Sequence, residues 1–320
     1  MEYCKRVWGS TSFYINLKMR VTMAGIRKIT SFWNKPERAA YLFIAPAGIL
    51  LLIFCIFPLA ASFYISTLKM GVDFHKAEFI GLNNYFKIFR DRYFWNSFWV
   101  TLKYFIIETP LQMFVGIAIS AVVSKNTIFN RFVRSVYFLP VITSAVTVGI
   151  MWQMLLHSNV GLYTYWLQLL GFGKINFLNN PDIALYVVIA VSLWRSFGIS
   201  TIILVAAIQN VPRSYYEAAE LDGAGKITQF FKITLPGIMP SVSFLLMTRI
   251  TGSLQVFDIV YTLTNGGPNR STETLVLYIY NEAFTKNNNM GYATAISEIL
   301  FLVIMIIVII QQYAMNKLND

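Results

Sequence analysis

Six apolar runs, each long enough to cross a bilayer, dominate this chain and leave few ways for it to fold. A helix that spans the hydrocarbon needs roughly 20 apolar residues. Runs of that kind lie near 41–67, 97–123, 135–157, 183–208, 240–264 and 291–314. The composition points the same way. Residues are 56% hydrophobic and only 13% charged, against about 45–50% apolar and about 25% charged in ordinary soluble domains. A soluble chain this apolar could not cover its surface. The expected class is an all-α membrane protein with six transmembrane helices. These form one domain over residues 39–315, with an arm at 1–38 and a short tail at 316–320.

The loop charges orient the runs. The net charge is +11, from 26 Lys and Arg against 15 Asp and Glu. The cations sit mostly in loops beside apolar runs, which fits membrane orientation and argues against a nucleic-acid partner. With the N-terminus inside, the cytoplasmic segments hold fifteen Lys and Arg and the outer segments eight. Both termini are therefore expected in the cytoplasm of a cell-membrane protein. The 1–38 arm has no apolar core behind a short charged start and no small-residue cleavage site, so it reads as a cytosolic arm along the membrane and not as a signal peptide. Met23 is an alternative start. Two cysteines (Cys4, Cys55) and two histidines (His75, His157) leave no material for a disulfide framework or a multi-histidine metal centre.

The stretch 209–239, a cytoplasmic loop between the fourth and fifth runs in this orientation, carries the most information. Pro212 and Ser214 suit a helix start, and Glu217, Ala218, Ala219, Glu220 and Leu221 favour helix. Asp222-Gly223-Ala224-Gly225 interrupts the run, because glycine supplies backbone angles that other residues avoid. A second helix is expected over about 226–232, ended by Pro236 through its effect on Leu235. The result is a helical hairpin projecting from the membrane face.

Glu217-Ala218-Ala219, three residues, Gly223, nine residues, then Ile233-x-Leu235-Pro236 resembles the coupling-loop motif of binding-protein-dependent ABC importer permeases. The stretches Phe257 to Pro268, Arg134 to Pro140 and Gly291 to Ala295 are similar to the first permease subunit of carbohydrate importers of the multiple-sugar, maltose, lactose and glycerol-3-phosphate kind. The resemblance covers about residues 40–314 and implies a type I ABC importer permease fold in a bacterial membrane. It implies a coupling helix that seats on a cytosolic ATPase dimer and a second homologous permease forming a heterodimer. It also implies an extracytoplasmic solute-binding protein and a sugar or oligosaccharide cargo. ATP and Mg would belong to the ATPase, with no cofactor and no catalytic or metal site on this chain.

A permease needs a polar path, and polar groups in hydrocarbon should face an interior. Thr248, Thr251, Gln255, Asp258 and Thr262 step by 3, 4, 3 and 4, so a continuous fifth helix would place them on one face. Tyr261 and Phe257 add flat apolar surface suited to a sugar. Ser192, Trp194, Arg195, Ser196 and Ser200 in the fourth run and Glu298 in the sixth join them as pathway candidates. Arg195 could instead pair with Asp258 or Glu298, since polar residues also hold membrane helices together. Outer loops 69–93, 158–182 and 265–290 are the expected docking surface for the binding protein.

Other classes fit less well. No nucleophile elbow, His-Glu-x-x-His or carboxylate cluster at a membrane face suggests an enzyme. Gly223-Ala-Gly225-Lys226 is not a phosphate loop, because Glu220 and Ile227 stand where that motif needs Gly and Ser or Thr. An ion-coupled carrier could use Glu108, Arg195, Asp258 and Glu298 as a relay, but it needs no ATPase handle. A phosphorylated polyol such as glycerol phosphate is an alternative cargo, with Arg195 and Arg249 available to an anion.

Overall fold

Prolines mark some of the places where the apolar runs widen or bend. The computed structural model describes residues 36–71, 73–286 and 288–319, so most of the expected 1–38 arm lies outside the described residues. The chain divides into two units, residues 1–62 and 63–320.

The described part of the first unit is helical. α1 (Pro36–Leu51) runs through a π turn at Leu52–Ile56 into α2 (Phe57–Ser66). The turn closes with the Phe57 N–H on the Leu52 carbonyl, just before Pro58. A widened turn relieves the clash that a proline ring makes with the carbonyl four residues earlier.

In the second unit a ribbon pairs β1 (Leu68–Lys69) with β2 (Glu78–Phe79), a small exception to the all-α expectation. The short amphipathic helix α3 (Asn83–Arg90) follows. Asn84 ties it down by donating to the carbonyls of Ser66 (2.8 Å) and Leu68 (2.9 Å). α4 (Arg92–Val123) is the longest helix, about 48 Å at 1.5 Å per residue. Asp91 caps its start by accepting from the Tyr93 N–H at 2.8 Å. Then come α5 (Ile128–Ile142), α6 (Ala145–Leu155), α7 (Leu162–Leu169) and α8 (Ala184–Gln209). α9 (Arg213–Leu221), α10 (Lys226–Gln229), a π turn at Phe230–Thr234 and α11 (Leu235–Gly237) make the hairpin region. α12 (Met239–Leu254), α13 (Asp258–Leu263), α14 (Leu275–Tyr280), a further π turn at Asn281–Thr285 and α15 (Met290–Asn319) complete the chain.

Among the described residues, four helical stretches are each long and apolar enough to cross a membrane: Phe43–Ser66, Arg92–Val123, Ala184–Gln209 and Met290–Lys317. The number rises to as many as six if each of two bent pairs counts as one span. The expected third span at 135–157 is thus corrected to α5 and α6, which meet at 96°. Pro140 leaves a carbonyl without its amide partner near the end of α5, and Thr143 and Ser144 are extended. The fifth run at 240–264 is also broken. Helix α12 stops at Leu254 and meets the preceding segment Lys226–Gly237 at 67°. Residues 316–319, expected as a tail, continue α15.

α4 packs most extensively on α8 and next on α12, so it is the spine of the second unit. α5 crosses α8 closely at Gly198, where a Cβ would lie 2.2 Å from the Tyr137 carbonyl oxygen. Small residues let membrane helices approach in this way, where packing rather than the hydrophobic effect drives association. One buried cluster joins Tyr104, Val148, Val188 and Val260. A second joins Phe94, Ile250, Leu275, Tyr292 and Ile296. A third, of Met113, Leu204, Ile238 and Leu245, lies beneath the hairpin.

Candidate functional site

The hairpin is built by a helix end and a proline. At the end of α8 the Asn210 and Val211 amides turn back onto Ala206, Ala207 and Ile208, and Pro212 opens α9. α9 ends in a Schellman turn. The Ala224 N–H reaches the Ala219 carbonyl at 2.8 Å and the Gly223 N–H reaches Glu220 at 3.0 Å. Gly223 takes φ +78°, which other residues resist, so the glycine of the motif is required by geometry. The second arm departs from expectation. Pro236 does not stop the helix at Leu235, which keeps helical angles (φ −62°, ψ −46°). The π turn ahead of it closes with the Leu235 N–H on Phe230 and absorbs the ring, as the turn before Pro58 does.

Tyr216 and Thr234 join the two arms by a hydroxyl bond of 2.9 Å, and Gln209 anchors the base by donating to the Ser124 carbonyl at 2.7 Å. Two clefts flank α9. One, of about 720 Å³, holds Ala218, Ala219, Ile233 and Pro236 of the motif beside Tyr215. The other, of about 800 Å³, is lined by Tyr216, Glu220, Ile227 and Phe230. Glu217 pairs at 3.1 Å on the exposed face with Arg213, which itself lines the second cleft. Leu235 is half-buried in the second arm. Leu221 is 90% exposed and Ile227 77%. These large apolar side chains stand out at the tip of a turn fixed by backbone hydrogen bonds.

A second polar region lies deep in the bundle, where α12 breaks. Gln255 (φ −106°, ψ 18°) and Phe257 (φ −136°, ψ −62°) leave helical geometry, and Thr274 donates to the freed Val256 carbonyl at 3.0 Å. The expected five-residue stripe is therefore not one helical face. Gln255 and Asp258 line a cavity of about 240 Å³ with Arg195, Ser192, Ser196, Arg249, Glu108 and Tyr104. Thr248 and Thr251 return their hydroxyls to the Leu245 and Met247 carbonyls of their own helix. Thr262 does the same with Asp258 and packs against Gly149 on α6, where a Cβ would lie 1.9 Å from its hydroxyl oxygen. Around the cavity Tyr104 donates to Ser192 (2.7 Å), Ser196 to Gln112 (3.2 Å) and Gln112 to Ser200 (3.3 Å). Thr109 and Ser253 share a bond of 2.9 Å. Arg195 and Asp258 share the cavity without an ion pair between them.

A third space of about 500 Å³ lies beyond α13, lined by Gln153, His157, Asn176, Tyr261, Thr262 and Asn265. Tyr261 stacks on Phe257 at 5.3 Å between ring centres, so one aromatic pair connects the two cavities. Trp194 packs edge-on against Trp152 at 5.5 Å. Glu298 is buried on α15 and does not line either space. Sequence reasoning did not single out Tyr104 or Ser253. Their signal was present in a polar spacing along the second and fifth runs that gave no reason to pair one with the other.

The comparisons with known proteins agree on a single family. Residues 112–319 match the family described as binding-protein-dependent transport system inner membrane component. The sulfoquinovosyl glycerol transport system permease protein SmoG of Agrobacterium fabrum is 34% identical over 266 residues, covering 82% of this chain and 85% of that protein. The sn-glycerol-3-phosphate transport system permease protein UgpA of Shigella flexneri is 32% identical over 280 residues, covering 87% and 95%. A chain of a bacterial alginate ABC transporter, crystallised with its alginate pentasaccharide-bound periplasmic protein, superposes with a TM-score of 0.79 at 22% identity, covering 90% and 98%.

Proposed function

We propose, from the premise that this chain belongs to the family of binding-protein-dependent transport system inner membrane components, that it is the transmembrane permease of an ATP-driven importer of sugars. The observation that carries the reading is the exposed helix α9, with its Schellman turn at Gly223 and clefts on either side. It is a rigid handle on a helix end, built on a buried cluster that also holds α4, α8 and α12. A cytosolic ATPase dimer gripping Ala218, Ala219 and Leu221 can move those helices together. ATP and Mg then reside on the ATPase. The chain contributes no hydrolytic group and converts closure of its partner into alternating access.

In this reading both termini and the hairpin face the cytoplasm. The end carrying residues 68–91 and 264–289 faces outward, toward a solute-binding protein. Membrane lipid and a second homologous permease, forming a heterodimer, cover the exposed apolar faces. Cargo passes from the space beside Tyr261 and Thr262, along the stacked rings of Tyr261 and Phe257, to the cavity at Gln255 and Asp258. Hydroxyl and amide groups beside flat aromatic surface suit a sugar. A phosphorylated polyol is a second reading of the cargo, favoured by Arg195 and Arg249 in the inner cavity. An ion-coupled carrier would leave the hairpin without a task.

Gentle isolation of the tagged chain from its native membrane tests the proposal. Recovery with an ATPase pair and a second permease supports it. Recovery of the intact, folded chain alone contradicts it and brings the ion-coupled carrier forward.

A further inference from the structure

Two arginines, Arg195 and Arg249, line the inner cavity with two carboxylates, Glu108 and Asp258, and still keep donors that neither acid takes up. Arg249 on α12 interacts electrostatically with Glu108, Tyr104 and Arg195. Both guanidiniums stay charged in proteins, and Glu108 forms no ion pair with either among the described residues. Asp258, at the exposed rim, forms no ion pair with either arginine among the described residues. The Nε atoms of both Arg195 and Arg249 are buried with no hydrogen-bond acceptor. A buried donor without an acceptor is costly, and a charged one more so, especially inside a membrane. Tyr104, by contrast, is satisfied through Ser192. The unmet capacity is therefore for a hydrogen-bond acceptor, and an oxyanion is the acceptor that a guanidinium binds most strongly.

The space beside these groups suits a small solute. Its volume of about 240 Å³ equals about eight waters at roughly 30 Å³ each. It has an aromatic wall at Phe257, and exposed Gln255 adds an amide. Ser253 lies on the same lining, already bonded to Thr109.

We infer that this cavity is a subsite for the anionic group of an acidic carbohydrate or polyol, a carboxylate, sulfonate or phosphate ester, held between Arg195 and Arg249. The inference rests on the permease reading and narrows its cargo. Planar guanidinium forks recognise such oxyanions in pairs of charge-assisted bonds. The remainder of the solute lies against Phe257 and bonds to Gln255. An anionic lipid headgroup shares this chemistry, so the test separates the two sources.

The test uses the chain assembled with its partner subunits in nanodiscs of phosphatidylcholine. Equilibrium binding is measured for two matched pairs, galacturonate with galactose and glycerol 3-phosphate with glycerol. At least one charged member should bind about tenfold or more tightly than its neutral partner, the gain expected of one desolvated charge-assisted contact. Arg249→Gln and Arg195→Gln should each bring the charged member down to the neutral level, while Arg249→Lys keeps part of the preference. Equal binding within both pairs overturns the inference, as does a preference that survives both glutamine changes. Displacement by added phosphatidylglycerol also overturns it and assigns the site to lipid. ATP hydrolysis by the same assembly, with and without the binding protein, reports separately on the importer reading. An assembly that hydrolyses ATP on demand but shows no anion preference keeps the importer and loses the subsite. A preference without coupled hydrolysis does the reverse.

Discussion

The two ends of helix α4 are built on opposite plans. At its start, side chains far apart in sequence lock onto one another. Asp91 accepts from the hydroxyls of Tyr278 (2.5 Å) and Tyr292 (2.6 Å). Glu273, 2% exposed, is held by Arg270 (3.1 Å), Lys286 (3.7 Å) and Asn281 (3.0 Å). The Arg270 guanidinium also lies 3.8 Å over the Tyr93 ring. At the other end the hairpin offers apolar side chains to the surroundings, and the ion pair on α9 is fully on the surface. One end draws its charged groups and tyrosine hydroxyls together within the chain. The other holds its shape through backbone turns and leaves its side chains for a partner. Stability and coupling are thereby placed in different regions, and mutations can separate them.

The largest loss of stability should come from Glu273→Ala. Removing one partner of a buried charge network strands the others, and about 3 kcal/mol is expected. Thermal unfolding in detergent measures it, and a loss below about 0.5 kcal/mol would mean that this end is not locked. Gly223→Val should cost about 1–2 kcal/mol, because a β-branched residue resists φ +78°. Here the damage should be local, read as faster amide exchange in 213–225 with the rest of the bundle unchanged.

Asp91 sharpens the comparison through pH. Burial pushes its carboxyl up, but the bonds from Tyr278, Tyr292 and the Tyr93 and Phe94 backbone outweigh burial and hold it below the usual carboxylate range. Its contribution is complete above the unfolded value, near pH 3.9, and is lost as pH falls through the lower folded value. Stability of Asp91→Asn should therefore fall less steeply than wild type in that acid window. Parallel profiles would remove Asp91 from the lock. The smallest effect on stability should be that of Glu217→Lys, within about 0.5 kcal/mol because the pair with Arg213 is exposed. The same variant should still insert yet lose ATP-dependent uptake. Full uptake would return α9 to an ordinary surface loop.

Much of this organisation is legible in the sequence for physical reasons. Apolar length alone locates the cores of Arg92–Val123, Ala184–Gln209 and Met290–Asn319, at 97–123, 183–208 and 291–314, because nothing inside those runs forces a bend large enough to end them. Gly223 is legible because one backbone geometry there excludes nearly every other residue. The breaks at 143–144 and 255–257 are harder. Pro140 signals the first but also occurs inside helices that continue, as Pro46 and Pro110 do. The second has no proline and depends on Thr274, eighteen residues later, taking up a freed carbonyl. Periodicity assumes a continuous helix, so it grouped Thr251 and Thr262 with Gln255 and Asp258. The structure instead joins the latter two to Arg195, Arg249 and Glu108 from other helices.

The most direct test of the central claim places a photo-crosslinking residue at Leu221, the most exposed large apolar side chain of the hairpin. Irradiation in the native membrane should give one dominant adduct with a cytosolic ATPase subunit, weakened when Gly223 is replaced by Val. A chain that is inserted and folded but gives no such adduct, or gives one from outside the cytoplasm, would contradict the account.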